Sequence, residues 1–453
     1  MPLTPAQLAT LGTASSGAIN GGAQRALSQI AQKRWITPRN RYRVSTIKSI
    51  EADYTAGTLD SRQLTDYVAV STPLLCCDVW AYLGRAIGCH LHGDPDSARH
   101  LAYYAELRAT MAILASQGVA ILNRQHFVID SGGSATLLRP GGTHEVAWEA
   151  LEAWSGLAPT ANLVGEILLP GGLSLNQWIA AMPNGASWQP IAKDWLLKLG
   201  LDLQLLSSDR NARNEASYRP TRLHPRTSLT SVEAATSARE IWSLLEPAPP
   251  LSFGEIDRFL LRLTLETAFE ATEGSSPRRS PMKYSNVVSS VVGTSGLGAD
   301  ALLWEQFLKR ETLPDEPGII DLVRLNRRGT VPPVADREVR RSDHHLSVMA
   351  RALLLLRIAS GATRRMLVDA GISFDDLSFW WHPYGTERGL WEVPPTAAHI
   401  TDSWADTEAD LLDIDEWLSH QPPGTYHDLL SAVPSSLTSL TNLEMVGLWS
   451  LAS

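Results

Sequence analysis

From Ser61 to Val119, apolar residues recur every three to four positions: Leu64, Tyr67, Val68, Leu74, Leu75, Val79, Tyr82, Leu83 and Ile87. That spacing draws a stripe along one face of an α-helix and does not fit the period-two alternation of a strand. A stretch this long has to bury its stripe against other helices. Asp94-Pro95-Asp96 interrupts it with acidic residues and a proline, the marks of a helix first turn. A second helix, SARHLAYYAELRATMAILASQG, is therefore predicted to follow and to end at Gly118. Its apolar stripe is Leu101, Tyr104, Ala105, the Arg108 stem, Met111, Ala112 and Ala115.

The rest of the chain repeats the pattern. THEVAWEALEAWSG, LSLNQWIAAM, WQPIAKDWLLKLGLDLQLLSSD and SVEAATSAREIWSLLE each place Trp on an apolar face, and Thr230 with Glu233 forms a capping-box pair. FGEIDRFLLRLTLETAFEAT and residues 343–360 read as further helices, and the acidic run Asp402–Glu416 as an amphipathic one. VAILNRQHFVID followed by SGG suggests a short hairpin. The expected fold class is mainly α, with at most that small β-hairpin. Composition breaks suggest four regions: a basic N-terminal arm (1–60), a helical region (61–250) with an Arg-rich loop at 207–224, a second helical region (251–370), and a Trp-rich acidic tail (371–453).

Charge narrows the partners. The 453 residues hold 39 Lys+Arg against 48 Asp+Glu, a net charge of -9, which excludes a whole-chain basic footprint for nucleic acid but not a local patch. The most apolar stretch, Leu346–Ala359, is shorter than the ~20 residues of a bilayer span and contains Arg351 and Arg357, so no membrane segment is expected. The N-terminus lacks the basic and apolar regions of a signal peptide. Cys76, Cys77 and Cys89 are odd in number, and two are adjacent, which argues against a disulfide framework and for buried thiols in a cytoplasmic protein. With His90 and His92 they match no zinc spacing, and neither metal nor cofactor is expected.

Three groups of residues could carry chemistry. Arg340 and His345 have the spacing in which an imidazole exchanges a proton with a ribose hydroxyl while a guanidinium stabilises phosphorane charge. The alternative is a helix start, with Asp343 as N-cap and one histidine facing the core. Arg210, Arg213, Asn214 and Arg219 lie in SSDRNARNEASYRPTRLH, where guanidinium forks could clamp phosphate or tie two helices through carboxylates. Arg39, Arg41 and Arg43, interleaved with Trp35 and Tyr42, suit phosphate contact and base stacking, or a solvated face of a docked segment. Gly293-Thr-Ser-Gly296-Leu-Gly298 has neither Walker A nor dinucleotide-binding spacing and reads as a loop between helices. Asp315, Glu316 and Asp321 lack the nearby lysine of a nuclease cluster.

The helix Arg99–Arg108, the motif Arg213-Asn214-Glu-Ala-Ser217-Tyr218-Arg219-Pro220 and the late helix Ser342–Ser360 together resemble the YaaC-like bacterial proteins, themselves similar to the HEPN superfamily of helical domains. The resemblance implies a HEPN-like bundle within residues 60–370. It also implies a cytoplasmic component of a bacterial antiphage-type defence system, working through a protein partner in a complex and through RNA or DNA. Catalytic HEPN members cleave RNA without metal through an Arg–x4–6–His pair, which maps here to Arg340 and His345. The sequence departs from that pattern at Arg341, where a small polar residue is usual. A partner-binding protein, a metal-independent endoribonuclease and a non-catalytic nucleic-acid sensor are the three readings. The 15 Trp divide into a core set, Trp148, Trp154, Trp178, Trp188, Trp195 and Trp242, and a docking set, Trp380, Trp381, Trp391, Trp404, Trp417 and Trp449.

Overall fold

The computed structural model describes residues 2–183, 188–198, 203–218, 229–247, 253–310, 344–420 and 424–452. Its N-terminal part runs α1 (Pro5–Leu11), α2 (Ser16–Ile30), α3 (Thr46–Thr55), α4 (Ser61–Leu91) and α5 (Pro95–Ser116). A small antiparallel sheet follows, with β1 (Val119–Ala120), β2 (Gln125–Ile129) and β3 (Ala135–Pro140) in that order. Then come α6 (Thr143–Ser155), α7 (Ala158–Ile167), α8 (Leu175–Ala180), α9 (Trp188–Lys198), α10 (Leu203–Tyr218) and α11 (Ser231–Ser243). The remainder is α12 (Gly254–Glu273), α13 (Pro281–Ser295), α14 (Ala301–Lys309), α15 (His345–Asp369), α16 (Ser378–Arg388), α17 (Trp404–Ser419), α18 (Tyr426–Ala432), α19 (Pro434–Ser439) and α20 (Glu444–Ala452). The protein is mainly α, as the apolar periodicity requires.

The long helices α4, α5 and α15 pack on one another at the centre, with α2, α10 and α20 around them. Their termini are where side-chain chemistry puts them. Asp94 caps α5 by accepting the Ser97 amide at 3.1 Å, with Pro95 in the first turn. Gly118 follows the helix at φ +90°, where a Cβ would lie 2.7 Å from the Ser15 nitrogen. Thr230 and Glu233 bond reciprocally at the start of α11. The hairpin around SGG is β2–β3, and β1 extends it by a third, two-residue strand. A register irregularity at His126/Phe127 turns the buried His126 inward. There Nδ1 accepts the Leu122 amide at 3.1 Å and Nε2 donates to the Gly141 carbonyl at 3.1 Å.

One apolar core runs from Leu3 to Leu451, through all four regions marked by composition. The first of these is helical, with Leu11, Ile19, Ile30, Tyr42 and Ile50 inside that core. None of the 15 Trp is exposed. Of the expected docking set, Trp381 and Trp449 are core, while Trp380, Trp391, Trp404 and Trp417 are partly buried against that core. Trp381 is fully buried and donates to the Phe374 carbonyl at 3.0 Å, and Trp449 donates to Ser403 Oγ at 3.2 Å. Short Pro- and Gly-containing connections pack these rings as well as long helices do, because each indole hides ~150–250 Å² and needs one acceptor.

The segment around Leu346–Ala359 is longer than its apolar run suggested. Both α15, at 25 residues, and α4, at 31, are long and apolar enough to cross a bilayer. Their apolar windows are instead 94% and 67% buried inside the protein, the behaviour of core helices. The arginines within α15 are taken up internally. Arg351 is fully buried, with Nη2 2.5 Å from Asp209 Oδ2 and Nε 3.3 Å from Glu106 Oε1. Arg357 makes a two-pronged bond to Asp257, 2.7 Å on each arm. Gly84 of α4 lets the chain cross closely: a Cβ there would sit 2.1 Å from the Thr441 carbonyl oxygen.

Candidate functional site

A cleft with about 350 Å³ of free volume opens where α4, α5, α6 and the β1–β2 connection meet. Helix spacing explains its walls. Tyr104, Arg108 and Met111 of α5 fall at i, i+4 and i+7 and so face one way, as do Tyr67, Ser71 and Leu75 of α4. Asn123 comes from the strand connection, and Thr143 and His144 open α6. Thr143 Oγ1 donates to the Leu122 carbonyl at 2.6 Å and fixes that corner.

The cleft's chemistry is aromatic and cationic. Among the described residues, no hydrogen bond holds Arg108, which lies half-buried in an apolar wall, and its charge acts on the Asp78 carboxylate of the neighbouring α4. Tyr104 is stacked on Tyr82 at 5.8 Å, and the Arg85 guanidinium lies 5.7 Å from the Tyr82 ring. The Arg213 guanidinium sits 5.3 Å from the Tyr103 ring and 5.4 Å from that of Tyr104, within cation–π range. Tyr103 Oη is 2.9 Å from His144 Nδ1, and burial raises the Tyr103 phenol above its ordinary range. That phenol therefore donates to the imidazole. Burial first, and the Arg213 charge second, lower both His100 and His144, so neutral rings line this edge.

The Arg-rich motif is not the loop expected over 207–224. Residues through Tyr218 form α10, and Arg219 lies outside the described residues. The helix is held by a tertiary contact that no local pattern announces: its Asp209 is fully buried against Arg351. Burial, with Asp209 alongside, pushes Glu106 well above the usual carboxylate range. Arg210 reaches Glu145 of α6 at 3.2 Å, and Asn214 is half-buried on the same helix. Arg213 thus joins the aromatic cleft, while Arg210 ties two helices.

His345 lies elsewhere, in the core, at 3% exposure. Its Nε2 is 3.0 Å from His90 Nδ1, and His90 Nε2 is 2.7 Å from Ser237 Oγ. Ser237 in turn donates to the Glu233 carbonyl at 2.8 Å. One proton arrangement satisfies this chain: His345 Nε2–H donates to His90, and His90 Nε2–H donates to Ser237. Burial lowers His90 to about 4, so that ring is neutral. His344 caps α15 by accepting the Leu346 amide. Arg340, Asp343 and the carboxylates Asp315, Glu316 and Asp321 lie outside the described residues.

In the basic segment, Arg41 Nη2 pairs with Asp53 Oδ1 at 2.6 Å, and Tyr42 is buried with its hydroxyl 3.1 Å from Asp53 Oδ2. Arg39 and Arg43 are exposed. Arg43 lies four residues before Ile47 of α3, which lines the cleft, so the two are at most about 14 Å apart along the chain. Of the glycine motif 293–298, Gly293 to Ser295 end α13, and the connection to α14 begins at Gly296, left-handed at φ +76°. Cys76 and Cys77 are buried as expected, whereas Cys89 is only partly so. Among the described residues, no group of three His, Cys, Asp or Glu could hold a metal ion.

Sequence reasoning assigned Arg108 and Tyr104 to an apolar stripe. A guanidinium at i+4 from a tyrosine within that stripe was the available sign of the cleft. When the chain is compared with known families, curated proteins and solved structures, no family model, curated protein or solved structure matches it.

Proposed function

We propose that this protein is a non-catalytic helical sensor of nucleotides or single-stranded nucleic acid, with a base held against Tyr104 and phosphate taken by Arg108 and Arg213. The observation that carries this reading is the half-buried Arg108, which no hydrogen bond holds among the described residues, set among aromatic rings in an otherwise apolar cleft. A half-buried guanidinium that has the Asp78 carboxylate as an electrostatic counterpart but donates no hydrogen bond among the described residues keeps its donors open, and an anionic aromatic ligand satisfies them while filling the apolar walls. The exposed Arg39 and Arg43, a short distance up the chain from Ile47, extend the same positive path. The ribonuclease alternative has less support, since the His345 imidazole is sealed in the core and already bonded to His90.

The test is fluorescence anisotropy with a short labelled single-stranded RNA. Tyr104→Ala is expected to weaken binding by about 1–3 kcal/mol, and Arg43→Gln to lower the salt slope by about 0.7. An RNA that binds the wild type and both variants alike rejects the cleft as its site. RNA incubated in EDTA is expected to stay intact with wild type and with His345→Ala. The resemblance to YaaC-like proteins supports a setting in a bacterial defence complex with a protein partner. Co-purification from the native cell is the measurement there, and a stable chain that brings down no neighbour argues against it.

A further inference from the structure

A second cleft, with about 200 Å³ of free volume, lies across the molecule's other helices, between α7, α12, α15 and α20. Three guanidiniums of α15 border it: Arg357, Arg364 and Arg365. They differ in what they already hold. Arg357 gives Nε and Nη2 to the Asp257 carboxylate and Nη2 also to the Ile167 carbonyl, 2.7 Å in each case. Arg365 pairs with Glu166 at 3.2 Å and Asp369 at 2.9 Å. Arg364 is half-buried, and among the described residues neither an acid nor a hydrogen bond engages it. Partial burial first, and the charge of Arg357 second, lower its affinity for a proton.

The floor of this cleft is Gly361, one turn after Arg357 and three residues before Arg364. A Cβ there would lie 2.9 Å from Arg357 Nη1 and 2.8 Å from Ile167 Cβ. Glycine inside a helix costs about 1 kcal/mol relative to alanine, so its place here needs a packing reason. Gly361 lets Ile167 approach and leaves Nη1 uncovered, a nitrogen of Arg357 for which no acceptor is found among the described residues. Two arginines thus present donors into one small, mostly apolar hollow, and the Arg357 charge bears on Arg364 even with Asp257 paired to Arg357.

We propose that this hollow is a binding site for a small oxyanion, a phosphate group, held between Arg357 Nη1 and the Arg364 guanidinium. Its volume falls below the roughly 300–1,000 Å³ of pockets for whole organic ligands, which favours inorganic phosphate or a phosphate head group whose remainder stays outside. Phosphate matches guanidinium geometry, and its charge complements Arg364, which no carboxylate pairs among the described residues. This inference is independent of the Tyr104 cleft, which shares no residue with it.

The experiment is calorimetric titration of the full chain with inorganic phosphate, with glycerol phosphate and with acetate. Saturable one-to-one phosphate binding is expected in the wild type, weakened at least tenfold in Arg364→Gln, partly kept in Arg364→Lys and unchanged in Arg108→Gln. Stronger binding of glycerol phosphate than of phosphate identifies a head-group site, and equal binding identifies free phosphate. Acetate that binds as tightly as phosphate overturns the assignment, as does the absence of saturable phosphate heat. Phosphate binding that survives Arg364→Gln, or that disappears in Arg108→Gln, overturns it too. Circular dichroism of each variant confirms that the fold is kept, since Arg364 is not a core residue.

Discussion

His90 and His345, 255 residues apart in sequence, meet in the core with 3.0 Å between Nδ1 of the first and Nε2 of the second. The contact joins α4 to the first turn of α15 and continues to Ser237 of α11. It makes the late histidine a fastening point between three helices. The histidine whose spacing to Arg340 suggests catalysis is buried here and bonded to His90.

This contact sets an acid limit on stability. Burial lowers His90 and His126 to about 4, below the ~6.5 of an unfolded histidine. The unfolded chain therefore binds more protons between those values, and stability falls as pH drops from about 6.5 toward 4. Each histidine contributes up to about 3 kcal/mol to that loss. Glu106, whose proton affinity is raised by burial, acts in the opposite direction. The measurement is urea unfolding at pH 7.5 and at 5. His90→Gln should cost stability at the higher pH and flatten the pH dependence, and an unchanged dependence would refute the assignment.

Arg351 should be among the least replaceable charges in the chain. Arg351→Met leaves the carboxylates of Asp209 and Glu106 buried around an apolar side chain. The expected loss is about 3–5 kcal/mol. Arg25→Ala, which breaks the more exposed pair with Asp66, should cost no more than about 1 kcal/mol. Chemical denaturation of the two variants distinguishes these outcomes, and equal losses would be incompatible with this picture.

Thiol chemistry offers a third check. Burial pushes Cys76 up to about 11 and raises Cys77 well above the ordinary thiol, while Cys89 remains partly exposed. A disulfide reagent is expected to label Cys89 in the native protein and the other two only on unfolding. Three thiols labelled at one rate would contradict the core placement.

Close helix crossing can be probed at one atom. Gly84→Ala drives a methyl into the Thr441 carbonyl, so the backbone has to move. A thermal midpoint several degrees lower is expected, in the range of other overpacked sites, whereas Gly57→Ala meets no neighbour and strains only its own left-handed backbone. Differential scanning calorimetry reads both.

The helical class, the α5 start at Asp94-Pro95, the α11 capping box and the SGG hairpin were all legible along the chain, because each is a local match of side chain to backbone. The cleft was not. Tyr67, His144 and the Tyr104–Arg108 pair come from three separate helices, and no spacing reports that they converge. Nor could local patterning distinguish a polar loop from α10, whose Asp209 is anchored by an arginine 142 residues later. The sequence alone determined which segments become helices and which face of each is apolar, since those follow from periodicity and capping. Tertiary packing decided which arginines were neutralised and which stayed open, because a charge is settled by whatever carboxylate the fold brings beside it.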